Sequence, residues 1–125
     1  MNIPGDLKYT KEHEWVKVDG NIATVGITDY AQQELSDITF FELPEIDRDV
    51  KQSEEIGVIE TSKAVSEIYS PVSGKIVEVN TPLDDNPEIV NQDPYGDGWL
   101  VKIEMSDVME LNQLLGVDDY KTMIE

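Results

Sequence analysis

The chain has 125 residues, 39% of them hydrophobic and spread along its length, enough for one domain with its own core and too many for a disordered acidic tail. Its 27 Asp and Glu against 9 Lys and Arg leave a formal charge of -18, which excludes the clustered cations that nucleic-acid binding needs. No apolar run reaches bilayer length and no signal-peptide pattern opens the chain, so a soluble, cytoplasmic protein of bacterial type is expected.

In chain order, residues 14–18 alternate, Asp19-Gly20 is a turn signal and residues 22–27 are apolar and β-branched, so the first element reads as a β-hairpin. Thr28 is placed to cap a short helix through Leu35, with Tyr30, Ala31 and Leu35 turned inward. Residues 38–43 read as a strand closed by Pro44, which has no amide proton for a ladder. Residues 56–59 suggest a strand buried on both faces, and residues 65–69 its antiparallel return, stopped at Ser70-Pro71. Residues 75–79 form the next strand, 80–98 a loop carrying Pro82, Pro87 and Pro94, and 99–105 a last strand. The period then becomes helical, with Ser106 as N-cap, Val108, Leu111, Leu114 and Leu115 at helical spacing and Gly116 as the stop; a second short helix follows over 118–124. The expected fold is β-rich α+β, a β-sandwich or flattened barrel with short, mainly C-terminal helices, in one domain over residues 1–125. Trp15, Trp99, Phe40 and Phe41 are expected in its core.

Lys63 stands at the tip between the strands at 56–59 and 65–69. It is the only cation between Lys51 and Lys75, in a stretch that carries Glu54, Glu55, Glu60 and Glu67. Most turn lysines are simply solvated, but this tip, Ser62-Lys63-Ala64, lacks the Gly, Asn or Asp that hairpin turns favour. The chain has no cysteine, so any thiol or acyl-transfer chemistry must come from an attached group or a partner. A lone amine presented at a tip is a candidate attachment point, and a flexible arm tethered there would concentrate its reactive end at nearby sites.

Six blocks carry a resemblance: residues 13–16 (His-Glu-Trp-Val), 26–31 (Gly-Ile-Thr-Asp-Tyr-Ala), 43–45 (Leu-Pro-Glu), 60–74 (Glu-Thr-Ser-Lys-Ala-Val-Ser-Glu-Ile-Tyr-Ser-Pro-Val-Ser-Gly), 77–80 (Val-Glu-Val-Asn) and 93–100 (Asp-Pro-Tyr-Gly-Asp-Gly-Trp-Leu). In this order and spacing, nearly end to end, the chain resembles the H-protein family of the glycine cleavage system. The resemblance implies a lipoyl-domain-like fold, a barrel-sandwich hybrid, and a carrier with no catalytic constellation of its own. It implies lipoate in amide linkage to Lys63, supplying the two sulfurs the chain lacks. The implied partners are the glycine decarboxylase (P protein), which loads an aminomethyl group; the tetrahydrofolate-dependent aminomethyltransferase (T protein), which removes it; the dihydrolipoyl dehydrogenase (L protein), which reoxidises the dithiol; and a lipoyl-attaching enzyme. The chain itself is expected to be a monomer. By the same likeness Glu14 and Glu67 contact the amine end of the loaded arm, where a carboxylate suits a cation, and Glu60, Ala64 and Gly74 are read by the attaching enzyme. Thr61 and Ser62 depart from the family's usual Ser and Val, and Asp47 stands where a glycine is common; Asp tolerates the left-handed backbone better than most residues.

Two other readings stay open: a relay passing lipoyl or octanoyl groups to other proteins, and an unmodified acidic interaction domain. A calcium loop at Asp93, Asp97, Gly98 and Glu104 is rejected because Tyr95 replaces an oxygen ligand and Pro94 intrudes. His13 is the only histidine and reads as a packing or hydrogen-bonding residue near Trp15. Biotin carriers have methionines flanking the lysine, where this chain has Ser62 and Ala64.

Overall fold

The alternation at the start of the chain folds as expected. In the computed structural model, which describes residues 1–125, β2 (Glu14–Asp19) and β3 (Ile22–Ile27) form the hairpin, with Asp19 paired to Ile22. The loop proper is Gly20-Asn21, one residue later than the Asp19-Gly20 signal, and Gly20 takes the left-handed φ of 62° that a glycine at the first loop position allows. With β1 (Lys8–Tyr9), β5 (Asp49–Val50), β8 (Gly74–Val79) and β9 (Val101–Met105), this hairpin builds a six-stranded sheet in the order β1-β2-β3-β9-β8-β5. A separate three-stranded sheet has the order β4-β6-β7, from β4 (Ile38–Glu42), β6 (Glu55–Thr61) and β7 (Val65–Tyr69). Of the two architectures expected, the fold is therefore a β-sandwich of two unclosed sheets with short helices. One apolar cluster joins the two sheets, with Val25, Ile76 and Ile103 from the larger and Phe41, Ile59 and Ile68 from the smaller.

Helix α1 (Asp29–Leu35) is capped as its sequence requires: Thr28 Oγ1 accepts from the Ala31 amide at 3.2 Å. Ala31 and Leu35 pack on the core, but Tyr30 does not; its ring lies against His13, centroids 4.7 Å apart. His13 Nδ1 is 3.0 Å from the Tyr120 hydroxyl, which is 2.7 Å from Thr28 Oγ1. A second cluster, Leu7, Tyr9, Trp15 and Tyr120, sits beside this network, with the Tyr9 and Tyr120 rings stacked at 4.6 Å. Asp47 has φ 76°, the left-handed conformation that this position tolerates with Asp in place of Gly.

Several expectations are corrected. Strand β6 is longer than the apolar run at 56–59 and only Ile56 and Ile59 are buried, because nothing covers the outer face of its sheet. Phe40 is 49% exposed on that face, while its neighbour Phe41 is buried. Trp99 is only partly buried, at the edge of the second cluster. Residues 80–98 are not a plain loop: a 3₁₀ turn at Thr81–Asp84 and helix α2 (Ile89–Gln92) coil the chain so that Leu83 and Val90 reach the core. Pro82 falls in the first turn, where its missing amide proton costs nothing. Near the C-terminus the cap is Asp107, not Ser106; its carboxylate accepts from the Met109 amide at 3.0 Å and opens a 3₁₀ helix over Val108–Gln113. Leu115 cannot extend it, because both its backbone groups bond Tyr9, at 2.7 and 2.8 Å. Gly116 accordingly starts helix α3 (Val117–Ile124) instead of stopping the previous one. No helix is long and apolar enough to cross a membrane.

These placements give opposite outcomes for two aliphatic residues. Ile103→Ala, at a fully buried site, should cost about 2–5 kcal/mol in urea denaturation. Val108, 50% exposed despite its helical spacing, should lose under about 0.5 kcal/mol as Val108→Ala, and a large loss there would contradict its exposed placement.

Candidate functional site

The tip between β6 and β7 solves its turn without glycine or asparagine. Neither Ser62 nor Lys63 has a positive φ. Thr61 replaces the usual turn chemistry: its hydroxyl oxygen accepts from the Lys63 amide at 3.2 Å and the Ala64 amide at 3.0 Å, while the Thr61 amide donates to the Ala64 carbonyl at 2.9 Å. A hydroxyl followed by a short polar tip is the signal that sequence reasoning passed over. Lys63 is exposed and makes no ion pair, so acylating it breaks no contact. Glu60 and Ala64 flank it, Glu60 at the end of β6 opposite Val65.

Strand β7 leads away from this tip. Its outward residues are Val65, Glu67 and Tyr69, covering about 13 Å of strand. At the far end lies a cavity of about 400 Å³ walled by Tyr9 to Glu12 and Glu14, by Gln52 and Ser53, by Tyr69 to Pro71, and by Gln113 to Leu115. The wall at Ser53 is pinned to the end of β7 by its amide on the Ser70 carbonyl at 2.7 Å and by the Ser70 amide on the Glu54 carbonyl at 2.8 Å. Residues from four distant parts of the sequence meet here.

Glu14 is the chemical centre of the cavity. It is 2% exposed, and its two oxygens accept from the Thr10 hydroxyl at 2.6 Å and from the Tyr69 amide at 3.2 Å. No cation pairs with it. Burial pushes its carboxyl up to about 7; the two hydrogen bonds pull the other way and Glu12 adds a smaller upward push. Lys11 and Glu12 in the wall offset each other, so the preference rests on Glu14: a buried carboxylate with two donors, no ionic partner and open space before it is suited to a small cationic group. Glu67 does not line the cavity. It is exposed on the outer face of β7 beside Tyr69, whose hydroxyl it holds above its ordinary range, ahead of burial and the charges of Glu12, Glu55 and Glu14. The structure thus sets Lys63 at one end of β7, Glu67 on it, and Glu14, from β2, against its other end through the Tyr69 amide.

Gly74 belongs elsewhere. It lies on β8 between Val50 and Met105, pressed on the Glu104 carbonyl so closely that any side chain would collide with that oxygen. Packing accounts for glycine there. Thr10, Tyr69, Gln52 and Ser53 were not legible as site residues, since only the approach of distant segments brings them to Glu14.

The raised carboxyl has a stability consequence. In the unfolded chain Glu14 ionises near 4.5 and in the folded chain near 7, so the folded state holds the extra proton between these values. Stability contributed by this proton is present below about pH 4.5 and lost as pH rises through 7. Urea titrations at pH 5 and pH 8 should show a fall that Glu14→Gln lessens by about 2.5 kcal/mol. At the other end, Thr61→Val should cost about 1 kcal/mol in urea denaturation by removing the hydroxyl that accepts from the Lys63 and Ala64 amides, with Thr61→Ser near wild type.

The sequence model of the glycine cleavage H-protein family matches residues 7–125. The glycine cleavage system H protein of Symbiobacterium thermophilum is 56% identical over 119 residues, covering 95% of this chain and 93% of that protein. The H protein of Staphylococcus haemolyticus is 56% identical over 124 residues, covering 99% and 98%. Among solved structures, the crystal structure of the glycine cleavage system H protein from Mycobacterium marinum superposes with a TM-score of 0.90 at 39% identity, covering 98% of each chain.

Proposed function

This chain belongs to the glycine cleavage H-protein family, and from that premise we propose that Lys63 bears its lipoyl group and that the Glu14 cavity shelters the loaded end of the arm. The protein is the lipoyl carrier of the glycine cleavage system and works with the P, T and L proteins; it is a carrier component and not one of the catalysts. The lipoyl group, held on a lysine, supplies a dithiolane whose sulfurs take up and give back the aminomethyl group and cycle between ring and dithiol.

What the chain's own residues do follows from the geometry. Thr61 holds the tip so that the Lys63 amine points outward with no ionic partner to give up. Glu14 accepts hydrogen bonds from the amine end of the loaded arm, and Thr10 and Tyr69 keep its two oxygens aimed and favour its ionised form. The cavity walls from Gln52 to Ser53 and Gln113 to Leu115 keep water from the labile carbon. Glu67 lies on the path between tip and cavity, where it draws the cationic end inward before Glu14 receives it. Glu60 and Ala64 are the neighbours that a lipoyl-attaching enzyme meets first. We take residues 1–125 as one monomeric domain working in a bacterial cytoplasm.

The observation that carries the assignment is one tip lysine without an ionic partner at one end of β7 and one buried carboxylate without a cation, from β2, against the other end. Intact mass of the protein from its native cell should show the gain of one lipoyl group, absent in Lys63→Arg; a gain that survives this change places the group elsewhere. Glu14→Ala should remain lipoylated but shorten the lifetime of the loaded arm by about tenfold or more, the worth of a charge-assisted hydrogen bond. The wild-type to variant lifetime ratio should shrink as pH drops below about 7, where Glu14 takes up its proton. A ratio near one at pH 8 would remove Glu14 from the docking role.

A further inference from the structure

We propose that the outer face of the three-stranded sheet is the docking surface for the glycine decarboxylase, and that the matching enzyme surface is a rim of lysines and arginines around a shallow apolar recess. This rests on Lys63 being the attachment point.

The strand register lays out that face. Phe40 pairs with Glu60 and Glu60 with Val65 in one row; Glu42 pairs with Val58 and Val58 with Glu67 in the next. Side chains directly opposite share a face and diagonal neighbours lie about 7–8 Å apart, so three apolar and three acidic residues alternate as a checkerboard just inboard of Lys63. The opposite faces of these strands hold Phe41 and Ile59, which are buried, so the six point away from the core. Phe40 is 49% exposed and Val65 65% exposed, with Val58 half-buried between them. Single exposed apolar residues are ordinary on any protein and often follow from β-propensity. Three that are contiguous by register, interleaved with carboxylates and next to the reactive tip are not explained by propensity.

Charge chooses the occupant. Strands β4, β6 and β7 contain no lysine, arginine or histidine; Arg48, which shares a recess with Glu42 and Val58, is already paired with Glu54 at 2.8 Å, and acylation removes the charge of Lys63 at the strands' edge. A second copy of the chain would set carboxylates against carboxylates, which repels; a basic, apolar-centred surface satisfies both halves of the checkerboard. The loading enzyme is the partner that meets this face. An unloaded arm would offer Glu14 no cation, so the cavity would not retain it and it would be free at the tip beside the sheet edge. Once loaded, its amine end is drawn toward Glu14, past the far end of β7, and the docked face is released.

The test uses lipoylated full-length protein as the varied substrate of purified decarboxylase. Phe40→Ser and Val65→Thr should each raise KM by about fivefold or more with kcat unchanged. Glu42→Lys should raise KM and weaken its dependence on salt concentration. The Lys63→Arg chain, which lacks the arm, should inhibit competitively, and adding Phe40→Ser to it should raise the inhibition constant by about tenfold, isolating the surface from the arm. Unchanged KM in all three variants, with lipoylation and melting temperature preserved, would overturn the proposal. Concentration-dependent dimerisation of wild type in sedimentation velocity, lost in Phe40→Ser, would also overturn it in favour of a second copy. A lipoyl mass gain that persists in Lys63→Arg would instead defeat the attachment reading on which it stands.

Discussion

The register of β2 against β3 is the constraint from which the site follows. Glu14 pairs with Ile27 and Trp15 with Gly26, so these adjacent side chains leave opposite faces of the strand. Trp15 enters the aromatic cluster with Tyr9 and Tyr120 and donates its indole N–H to the Pro94 carbonyl at 2.9 Å. Its ring lies flat over Gly26, where a β-carbon would come within 2.6 Å of the indole, so the partner position must be glycine. A slip of one residue would send Glu14 into the aromatic cluster and Trp15 into the cavity. The indole therefore fixes the carboxylate: large apolar burial on one face holds an unfavourable charge in place on the other.

The same logic explains what was legible from sequence. Features governed by local chemistry came through, including the hairpin at 14–27, the Thr28 cap, the strand ended by Pro44 and the lysine tip. Features decided by distant contact did not. The dipeptides at β1 and β5 are too short to carry a period, and only pairing with β2 and β8 makes them strands. Leu83 and Val90 sit in a proline-rich stretch that reads as loop until their burial is known. Helical spacing from Val108 to Leu115 was genuine, but two backbone bonds to Tyr9 at Leu115 outweighed it. In the site, Lys63 was visible as an isolated charge and Glu14 through its block of neighbours. Thr10, Tyr69 and Ser53 were not, because their part in the cavity arises only when four segments converge.

Electrostatics divides the labour between the two ends of β7. A protein with formal charge -18 gains no affinity by adding one more surface carboxylate. Burial is what makes Glu14 different from the other acidic residues: it weakens hydration of the carboxylate and strengthens any contact with a cation that reaches it. The Thr10 hydroxyl and Tyr69 amide are enough to keep the carboxylate aimed, yet too few to restore its ordinary acidity. The exposed glutamates act at longer range and through solvent, so they bias the approach of cations without holding them.

A carrier must hold its cargo and also let it go, and with the arm docked as proposed, the Glu14 cavity would serve both needs by being only half satisfied. A guest amine that pairs with Glu14 gives up its own hydration, which offsets much of the Coulombic gain. The net preference for the docked arm is therefore modest, a population shift and not a trap. Part of that preference is already present in the apo protein as the penalty of a lone buried charge, which the arriving cation relieves. A partner enzyme that offers the amine a comparable set of acceptors can draw the arm out without first breaking a strong bond. Had Glu14 been fully neutralised by a resident lysine, as Glu54 is partly by Arg48 at 2.8 Å, the cavity would have nothing to gain from the cargo. On the proposed docking, the absence of such a partner at Glu14 is what would let the site both bind and release.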